Sequence, residues 1–230
     1  NIISKLDKGF TNKVARLYKQ KLEEIISHTT KQTRNYLTTS DIDNIISQDY
    51  LDKLQKFKEI TGVYLANSLQ QGFIYHALNQ GDIDDAYVVQ LIWQYASKLD
   101  IGKLQEAWDY AQRKYPSLRL KLAWEEELVQ IIDKEGNLDW RYIDLSTEQD
   151  VITQEQRIKE IQEQDRLERY DLRAGCLFRV YLIKQREDLY SCIFSNHHTI
   201  LDGWSNPILF EYVHDTYLKL KDKNPVPLTI

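Results

Sequence analysis

The pattern of apolar residues along the chain changes near residue 60. Upstream, residues 13–28 repeat apolar positions every three or four residues, which predicts an amphipathic helix. Ser40 and Ser47 are predicted to cap two further short helices, and the polar run 27–40 is predicted to be a linker. The apolar face of the first helix comprises Val14, Leu17, Leu22, Ile25 and Ile26. No strand pattern precedes residue 60, so this part is predicted to be helical.

Downstream of residue 60, β-branched and aromatic runs alternate with helical patterns. A helix is predicted at 68–78, opened by Ser68, and another at 100–116, capped by Asp100. The stripe Leu104, Ala107, Trp108 and Ala111 is predicted to be buried. Further helices are predicted at 153–170 and 206–221, and strands at 84–97, 117–124, 127–133, 138–145, 176–185 and 188–196. The last two strands are predicted to form a hairpin, and 134–137 to be a turn. This mixture indicates an α/β or α+β sandwich.

Length, composition and charge disfavour several classes of function. The 230 residues are enough for one large domain or one domain with an appendage, and a net charge of −5 without a basic patch disfavours nucleic-acid binding. No apolar run approaches the roughly 18–20 residues of a membrane span, and the start lacks a signal-peptide core. Cys176 and Cys192 lie in apolar stretches and are expected to be buried, reduced thiols, which fits the cytoplasm. The missing initiator methionine favours a piece of a longer protein.

The stretch SNHHTILDGWS, residues 195–205, holds two adjacent histidines after an apolar run. Neighbouring residues of a strand point to opposite faces, so His197 and His198 are not expected to bind one metal ion, and HExxH, CxxC and GxSxG motifs are absent. One imidazole could therefore act on a substrate while the other packs inward, although period two does not say which. Two satisfied histidines at a strand end are the alternative. Asp202 could orient a ring or hold the loop through an arginine, and Gly203 permits a sharp turn or a close ligand approach.

These residues carry a family pattern. HHTILDGWS (197–205) resembles the HHxxxDG signature of condensation domains of nonribosomal peptide synthetases. SLQQGFIYHAL (68–78) resembles the first motif of that family, RKYPSLRLKLAW (113–124) the second, written RHxxLR, and RYDLRAGCLFRV (169–180) the segment before the third. The resemblance covers about 60–230. Tyr115 (or Lys114, depending on alignment) replaces the histidine of the second motif, and Cys176 stands where proline is common.

The resemblance implies an α+β fold like that of chloramphenicol acetyltransferase, with a mixed sheet and flanking helices. Residues 58–230 correspond to the N-terminal of two lobes. Residues 1–57 resemble the closing helix and tail of an upstream epimerization domain, followed by a linker. QQGFIYHAL and DGWS are closer to condensation domains that accept a D-configured donor.

The resemblance also implies chemistry and partners. The family joins a peptidyl or aminoacyl thioester donor to an aminoacyl thioester acceptor, both held on phosphopantetheine of peptidyl carrier domains, and binds no cofactor directly. His198 is assigned as base or as hydrogen-bond anchor for the attacking amine, and the Gly203 N–H as an oxyanion donor. Asp202 is expected to pair with Arg113 or Arg119, and His197 and Trp204 to support the site. The partners are the carrier domains, the C-terminal lobe and the epimerization domain.

Three other interpretations remain. An epimerization domain shares the HHxxxD core, but DGWSNP argues against it. A stand-alone acyltransferase of the chloramphenicol type fits poorly with the N-terminal segment. A non-catalytic binding or scaffold module is the third, and the isolated lobe is expected to be inactive.

Overall fold

The computed structural model describes residues 8–79, 87–223 and 226. The chain divides between Tyr36 and Leu37 into two units. In the first unit, helix α1 (Lys8–Thr29) confirms the predicted helix and buries none of its residues. Its large apolar side chains are 44–70% exposed, so the predicted apolar face is solvent-accessible. They are Phe10, Val14, Leu17, Tyr18, Leu22, Ile25 and Ile26.

The second unit begins upstream of the predicted boundary at residues 57 and 58. A 3-10 helix (Thr39–Ile42) and α2 (Gln48–Gln55) pack against the first sheet. Ser47 caps α2 by accepting a hydrogen bond from the Tyr50 N–H at 3.2 Å, as predicted. The predicted cap at Ser40 is wrong, because Thr38 forms a capping box two residues earlier. The apolar residues of this cluster are Ile42, Ile46, Leu51, Ile60, Val63, Ala123, Val129 and Ile131.

The first sheet has the order β1-β4-β3 and is antiparallel. Its strands are β1 (Ile60–Leu65), β3 (Leu120–Ala123) and β4 (Val129–Asp133). The sequence predicted β3 and β4 but missed β1. Its register shifts between Ile60 and Gly62, which interrupts the period-two pattern.

The second sheet has the order β2-β7-β6-β5. Its strands are β2 (Val88–Tyr95), β5 (Asp139–Asp144), β6 (Phe178–Arg186) and β7 (Leu189–His197). The predicted β6–β7 hairpin is confirmed, and β5 pairs parallel to β6. The turn 134–137 does not close a hairpin, because β4 and β5 belong to different sheets.

Helices cover both faces of the second sheet. They are α3 (Ser68–Asn79), α4 (Ile101–Lys114), α5 (Val151–Leu167) and α6 (Ser205–Lys221), with a 3-10 turn at Pro116–Arg119. α4 and α6 share the larger core cluster, in which the Trp108 ring stacks on Phe194 at 5.2 Å. Ile158 and Ile161 of α5 pack against Ile193 on the other face. The predicted stripe of α4 is fully buried, and Asp100 caps the helix as predicted. This mixed arrangement confirms the α+β expectation.

The two cysteines are free thiols, and the expected burial is confirmed for Cys192 but wrong for Cys176. Cys192 lies fully inside the core, where desolvation raises the pKa of its thiol. Cys176 is half-buried, has a φ of 55°, and donates its thiol hydrogen to the Asn137 carbonyl at 3.0 Å. It follows Gly175, whose φ is 80°, so two successive residues have a left-handed backbone.

A buried ion pair joins α5 to the second sheet. Arg179 Nε lies 2.6 Å from Asp165 Oδ1, and the two side chains are 4% and 0% exposed. Gln90 of β2 donates to the other carboxylate oxygen at 2.6 Å, so three elements meet at one carboxylate. The charges compensate each other in a buried site. Without Asp165, the buried Arg179 would keep only the half-exposed Glu168, whose Oε1 lies 3.6 Å from its Nη1, as a charged partner.

We therefore expect Asp165→Ala to lower the free energy of unfolding by about 3–5 kcal/mol. Glu160→Ala, on the same helix, removes an exposed partner of Arg157 and should cost no more than about 1 kcal/mol. Urea denaturation of the two variants measures the difference. Equal midpoints would contradict a structural role for the buried pair.

Candidate active site

The two adjacent histidines lie where the central strand β7 ends. β7 pairs with β2 and β6 on its two sides and is buried from Tyr190 to Asn196. His197 is its last residue, and His198 begins the turn that follows. The His197 N–H donates to the Leu177 carbonyl at 2.9 Å and the His198 N–H to the Tyr87 carbonyl at 2.8 Å. Both backbones are therefore fixed, and both side chains are half-buried.

The rule that neighbours face opposite sides of a strand does not apply to this pair. Because β7 stops at His197, the backbone turns before the second ring. Phe73 of α3 contacts both rings, with centroids 5.6 Å from His197 and 6.0 Å from His198. Phe73 belongs to the first motif, so the structure brings two of the sequence motifs together here.

His198 is held in one tautomer. Its Nδ1 lies 2.9 Å from the Leu201 carbonyl oxygen, which only accepts hydrogen bonds, so Nδ1 carries the hydrogen. In the neutral ring the lone pair is then on Nε2. No described residue hydrogen-bonds to that nitrogen. The arrangement leaves Nε2 as an acceptor for a proton or a hydrogen bond from a substrate.

His197 has the opposite arrangement. Its Nδ1 accepts a hydrogen bond from the Thr199 N–H at 3.1 Å, so the lone pair lies on Nδ1 and a neutral ring carries its hydrogen on Nε2. The ring makes an edge contact with Tyr170 at 6.3 Å, whose hydroxyl donates to Ser195 Oγ at 3.0 Å. His197 is thus surrounded by packing and internal hydrogen bonds.

The predicted ion pair of Asp202 with Arg113 or Arg119 is not formed. Asp202 is exposed, and its Oδ1 accepts hydrogen bonds from the Ser205 N–H at 2.8 Å and from Ser205 Oγ at 2.7 Å. These two bonds, the hydroxyl first, lower the pKa of the Asp202 carboxyl. The carboxylate therefore closes the turn at the start of α6 and has no arginine partner among the described residues.

The arginines of the second motif have other partners. Arg119 Nη1 donates to the carbonyls of Gln112 and Arg113 in the last turn of α4, and its Nε to the Asp133 carbonyl at 2.9 Å. It therefore caps a helix whose last carbonyls lack intrahelical partners. Burial lowers the pKa of this guanidinium. The Arg113 guanidinium lies 5.4 Å from the Tyr110 ring centroid.

Gly203 and Trp204 lie exposed between Asp202 and α6. A Cβ added at Gly203 would meet no atom within 4 Å, and its φ lies outside the left-handed region. The fold of the described residues thus does not require glycine for a sharp turn. The Gly203 N–H has no hydrogen-bond partner among the described residues. Trp204 is 87% exposed and Ile208, one turn later, 57%.

A cavity of about 170 Å³ borders this loop. Its walls come from the 3-10 turn of the second motif, from Leu201 and from the first turns of α6. The lining residues are Tyr115, Ser117, Leu118, Leu201, Ser205, Ile208 and Leu209. Tyr115, one of the two residues that could replace the histidine of the second motif, therefore lines the cavity, and desolvation raises the pKa of its hydroxyl.

Among the described residues, no three His, Cys, Asp or Glu side chains are grouped so that they could hold a metal ion. None of the helices described is both long and apolar enough to cross a bilayer.

Sequence reasoning missed three contributors to the site. Phe73 could have been found, because it is an aromatic residue on the buried side of a recognised motif. The Leu201 carbonyl and Ser205 gave no signal, because a backbone acceptor carries no sequence pattern and a serine near a helix start has many possible partners.

Comparisons with known proteins agree with this geometry. Residues 60–230 match the family model described as Condensation domain. The chain is 53% identical over 163 residues to N-(5-amino-5-carboxypentanoyl)-L-cysteinyl-D-valine synthase of Amycolatopsis lactamdurans, covering 70% of this chain and 4% of that protein. It is 30% identical over 215 residues to bacitracin synthase 3 of Bacillus licheniformis, covering 91% and 3%. The chain thus spans only a few hundredths of the length of these relatives.

Solved structures share the fold. The starter condensation domain of rhizomide synthetase RzmA superposes with a TM-score of 0.65 at 17% identity, over 72% of this chain and 41% of that one. The four-domain nonribosomal peptide synthetase AB3403, bound to AMP and glycine, gives a TM-score of 0.59 at 20% identity, over 72% and 13%. With the sequence match over 60–230, the chain belongs to the condensation-domain family of nonribosomal peptide synthetases, whose members form peptide bonds.

Proposed function

We propose that this chain supplies the first lobe of a condensation domain that joins a donor thioester to the amine of an acceptor, both carried on phosphopantetheine. The observation that carries the proposal is the tautomer of His198, whose Nδ1–H is bound to the Leu201 carbonyl so that the Nε2 lone pair is available. The acceptor amine attacks the donor carbonyl, the C–N bond forms and the C–S bond breaks. The proton lost by the amine passes to the departing thiolate.

Condensation requires the protein mainly to position the two substrates and to accept or transfer a proton. A free α-amino group has a pKa of about 8, so a usable neutral fraction exists near pH 7. Holding both tethered substrates in register can supply up to about 7–11 kcal/mol. A positioned base adds about 10²–10⁴-fold. His198 Nε2 fits that role, either accepting the proton or holding the attacking amine by a hydrogen bond.

Gly203 is proposed as the oxyanion donor. The Gly203 N–H has no partner among the described residues, and no neighbouring atom lies near the glycine Cα on the side where a Cβ would stand. An N–H directed at a developing oxyanion stabilises the transition state by several kcal/mol. Asp202 and His197 support this loop through Ser205 and Thr199.

The finer assignments rest on the resemblance and on the extent of the alignments. The alignment with bacitracin synthase 3 spans 215 residues, more than the family range 60–230, so it reaches upstream of residue 60. This supports α1 as the end of a preceding synthetase domain, which we assign to an epimerization domain. A D-configured donor would follow from that order. The partners of this lobe would be the carrier domains and a second lobe. The reaction would take place in the cytoplasm.

We expect His198→Ala in the complete domain to slow peptide formation by about 10²–10⁴-fold without changing the fold, because the base or anchor is lost. The measurement is single-turnover peptide formation from loaded carrier domains, with spontaneous aminolysis subtracted. His28→Ala, at an exposed position of α1, is the matched control in a protein that retains residues 1–57, and it should react at the wild-type rate. A His198→Ala rate close to the control would remove His198 from the mechanism and favour a scaffold role.

Gly203→Ala should leave stability unchanged, because the added methyl group meets no atom of the described structure. It should nevertheless slow condensation on the order of tenfold or more, because the methyl group would hold the donor carbonyl away from the N–H. Gly102→Ala is the control, since its Cβ would meet only Asp100 Oδ1 at 3.7 Å. Thermal melts and single-turnover rates separate the two effects. Full activity of Gly203→Ala would contradict a close approach at this glycine.

Residues 1–230 expressed alone, without the proposed second lobe, should form no peptide and should self-associate. Trp204 and Ile208 give an exposed apolar surface beside the cavity, which the second lobe would cover. Ile208→Lys should reduce association in light scattering, whereas Ile152→Lys, at a 76% exposed position on α5, should not. A monodisperse chain with full turnover would contradict the two-lobe proposal.

A further inference from the structure

Ser205 holds the loop that carries the candidate catalytic groups. Its backbone N–H and its hydroxyl both donate to Asp202 Oδ1, at 2.8 and 2.7 Å. Its N–H also lies 3.2 Å from the Asp202 carbonyl oxygen. Because these bonds lower the pKa of the carboxyl, Asp202 is ionised at neutral pH, and hydrogen bonds to a charged acceptor are about twice as strong as neutral ones.

The position of Asp202 also decides where the acceptor for His198 lies. The Leu201 carbonyl and the Asp202 N–H belong to one planar peptide group. A rotation about the Asp202 N–Cα bond therefore changes the direction of that carbonyl relative to the Asp202 side chain. That carbonyl accepts the Nδ1 hydrogen of His198 at 2.9 Å. Leu201 itself is buried, which fixes the other side of the peptide group. The Ser205 bonds hold both the Asp202 side chain and its carbonyl, so they restrict rotation about the Asp202 N–Cα bond and, with it, the Leu201 carbonyl that binds the His198 ring.

The bond at Nδ1 decides which nitrogen faces the substrate. While the Leu201 carbonyl accepts from Nδ1, the neutral ring presents a lone pair at Nε2. If the carbonyl turned away, the hydrogen could move to Nε2, and the ring would present a donor where a base is needed. A tautomer exchange of this kind lowers the chemical rate without altering the surface that binds the substrates.

We propose that Ser205 is a positioning residue for condensation: its hydroxyl, through Asp202 and the Leu201 carbonyl, keeps His198 in the Nδ1–H tautomer. The proposal rests on the proposed function of His198. It assigns to Ser205 the loop-holding role that the sequence assigned to Arg113 or Arg119.

The test uses Ser205→Ala, Ser205→Thr and wild type in the complete condensation domain. Nitrogen-15 and carbon-13 spectra of labelled histidine report the His198 tautomer without any reaction. Single-turnover assays with varied acceptor carrier separate the chemical rate from KM. We expect Ser205→Ala to populate the Nε2–H tautomer and to lower the rate about tenfold, with KM changed less than twofold. Ser205→Thr keeps the hydroxyl and should restore both.

The matched control is Ser146→Ala. Ser146 makes the same pair of bonds to Asp144 Oδ1, from its N–H at 2.9 Å and from Oγ, but lies in the exposed turn after β5. This variant should keep the tautomer and the rate. Should Ser205→Ala fail to fold, Ser205→Cys replaces it, because a thiol is a weak donor and should give the same tautomer change.

The outcomes separate the two proposals. An unchanged tautomer in Ser205→Ala, or equal effects of Ser205→Ala and Ser205→Thr, would overturn the role of Ser205. A changed tautomer with an unchanged rate would overturn it as well. If His198→Ala kept the wild-type rate while Ser205→Ala changed the tautomer, the proposed function of His198 would fail instead.

Discussion

The site depends on the burial of strand β7. This strand lies between β2 and β6, and the side chains from Tyr190 to Asn196 are shielded on both faces. A central strand of this kind cannot shift its register by one residue without moving every core side chain to the opposite face. The ends of β7 are therefore fixed by the core, and the two histidines emerge at the point where pairing with β2 stops.

Two adjacent histidines then acquire different properties from their backbone surroundings alone. His197 completes the ladder and receives a hydrogen bond from the Thr199 N–H at Nδ1, while His198 donates from Nδ1 to the Leu201 carbonyl. Identical side chains one residue apart thus hold opposite tautomers. The first ring accepts a hydrogen bond within the turn, and the second ring keeps its Nε2 without a partner among the described residues.

The sequence predicted what depends on local periodicity and failed where strand pairing or a single hydrogen bond decides. The helix of Trp108, its cap at Asp100 and the β6–β7 hairpin followed from period and turn signals. β1 was missed because its register shift breaks the alternation. The expected partner of Asp202 was an arginine, because a carboxylate often pairs with a cation. Arg119 instead donates to backbone carbonyls at the end of α4, and Ser205, three residues after Asp202, donates to the carboxylate. Roles that rest on backbone acceptors leave no trace in residue types.

The backbone conformation at Cys176 has a consequence for the consensus design of this domain. The family resemblance leads us to expect proline at that position, and a consensus design based on it would introduce one. The proline ring fixes φ near −65°, whereas Cys176 has a φ of 55°. The exchange would force the segment between Gly175 and β6 to rebuild and would remove the thiol bond to Asn137. A substitution that brings the sequence closer to the family pattern would therefore be incompatible with the backbone conformation of this structure.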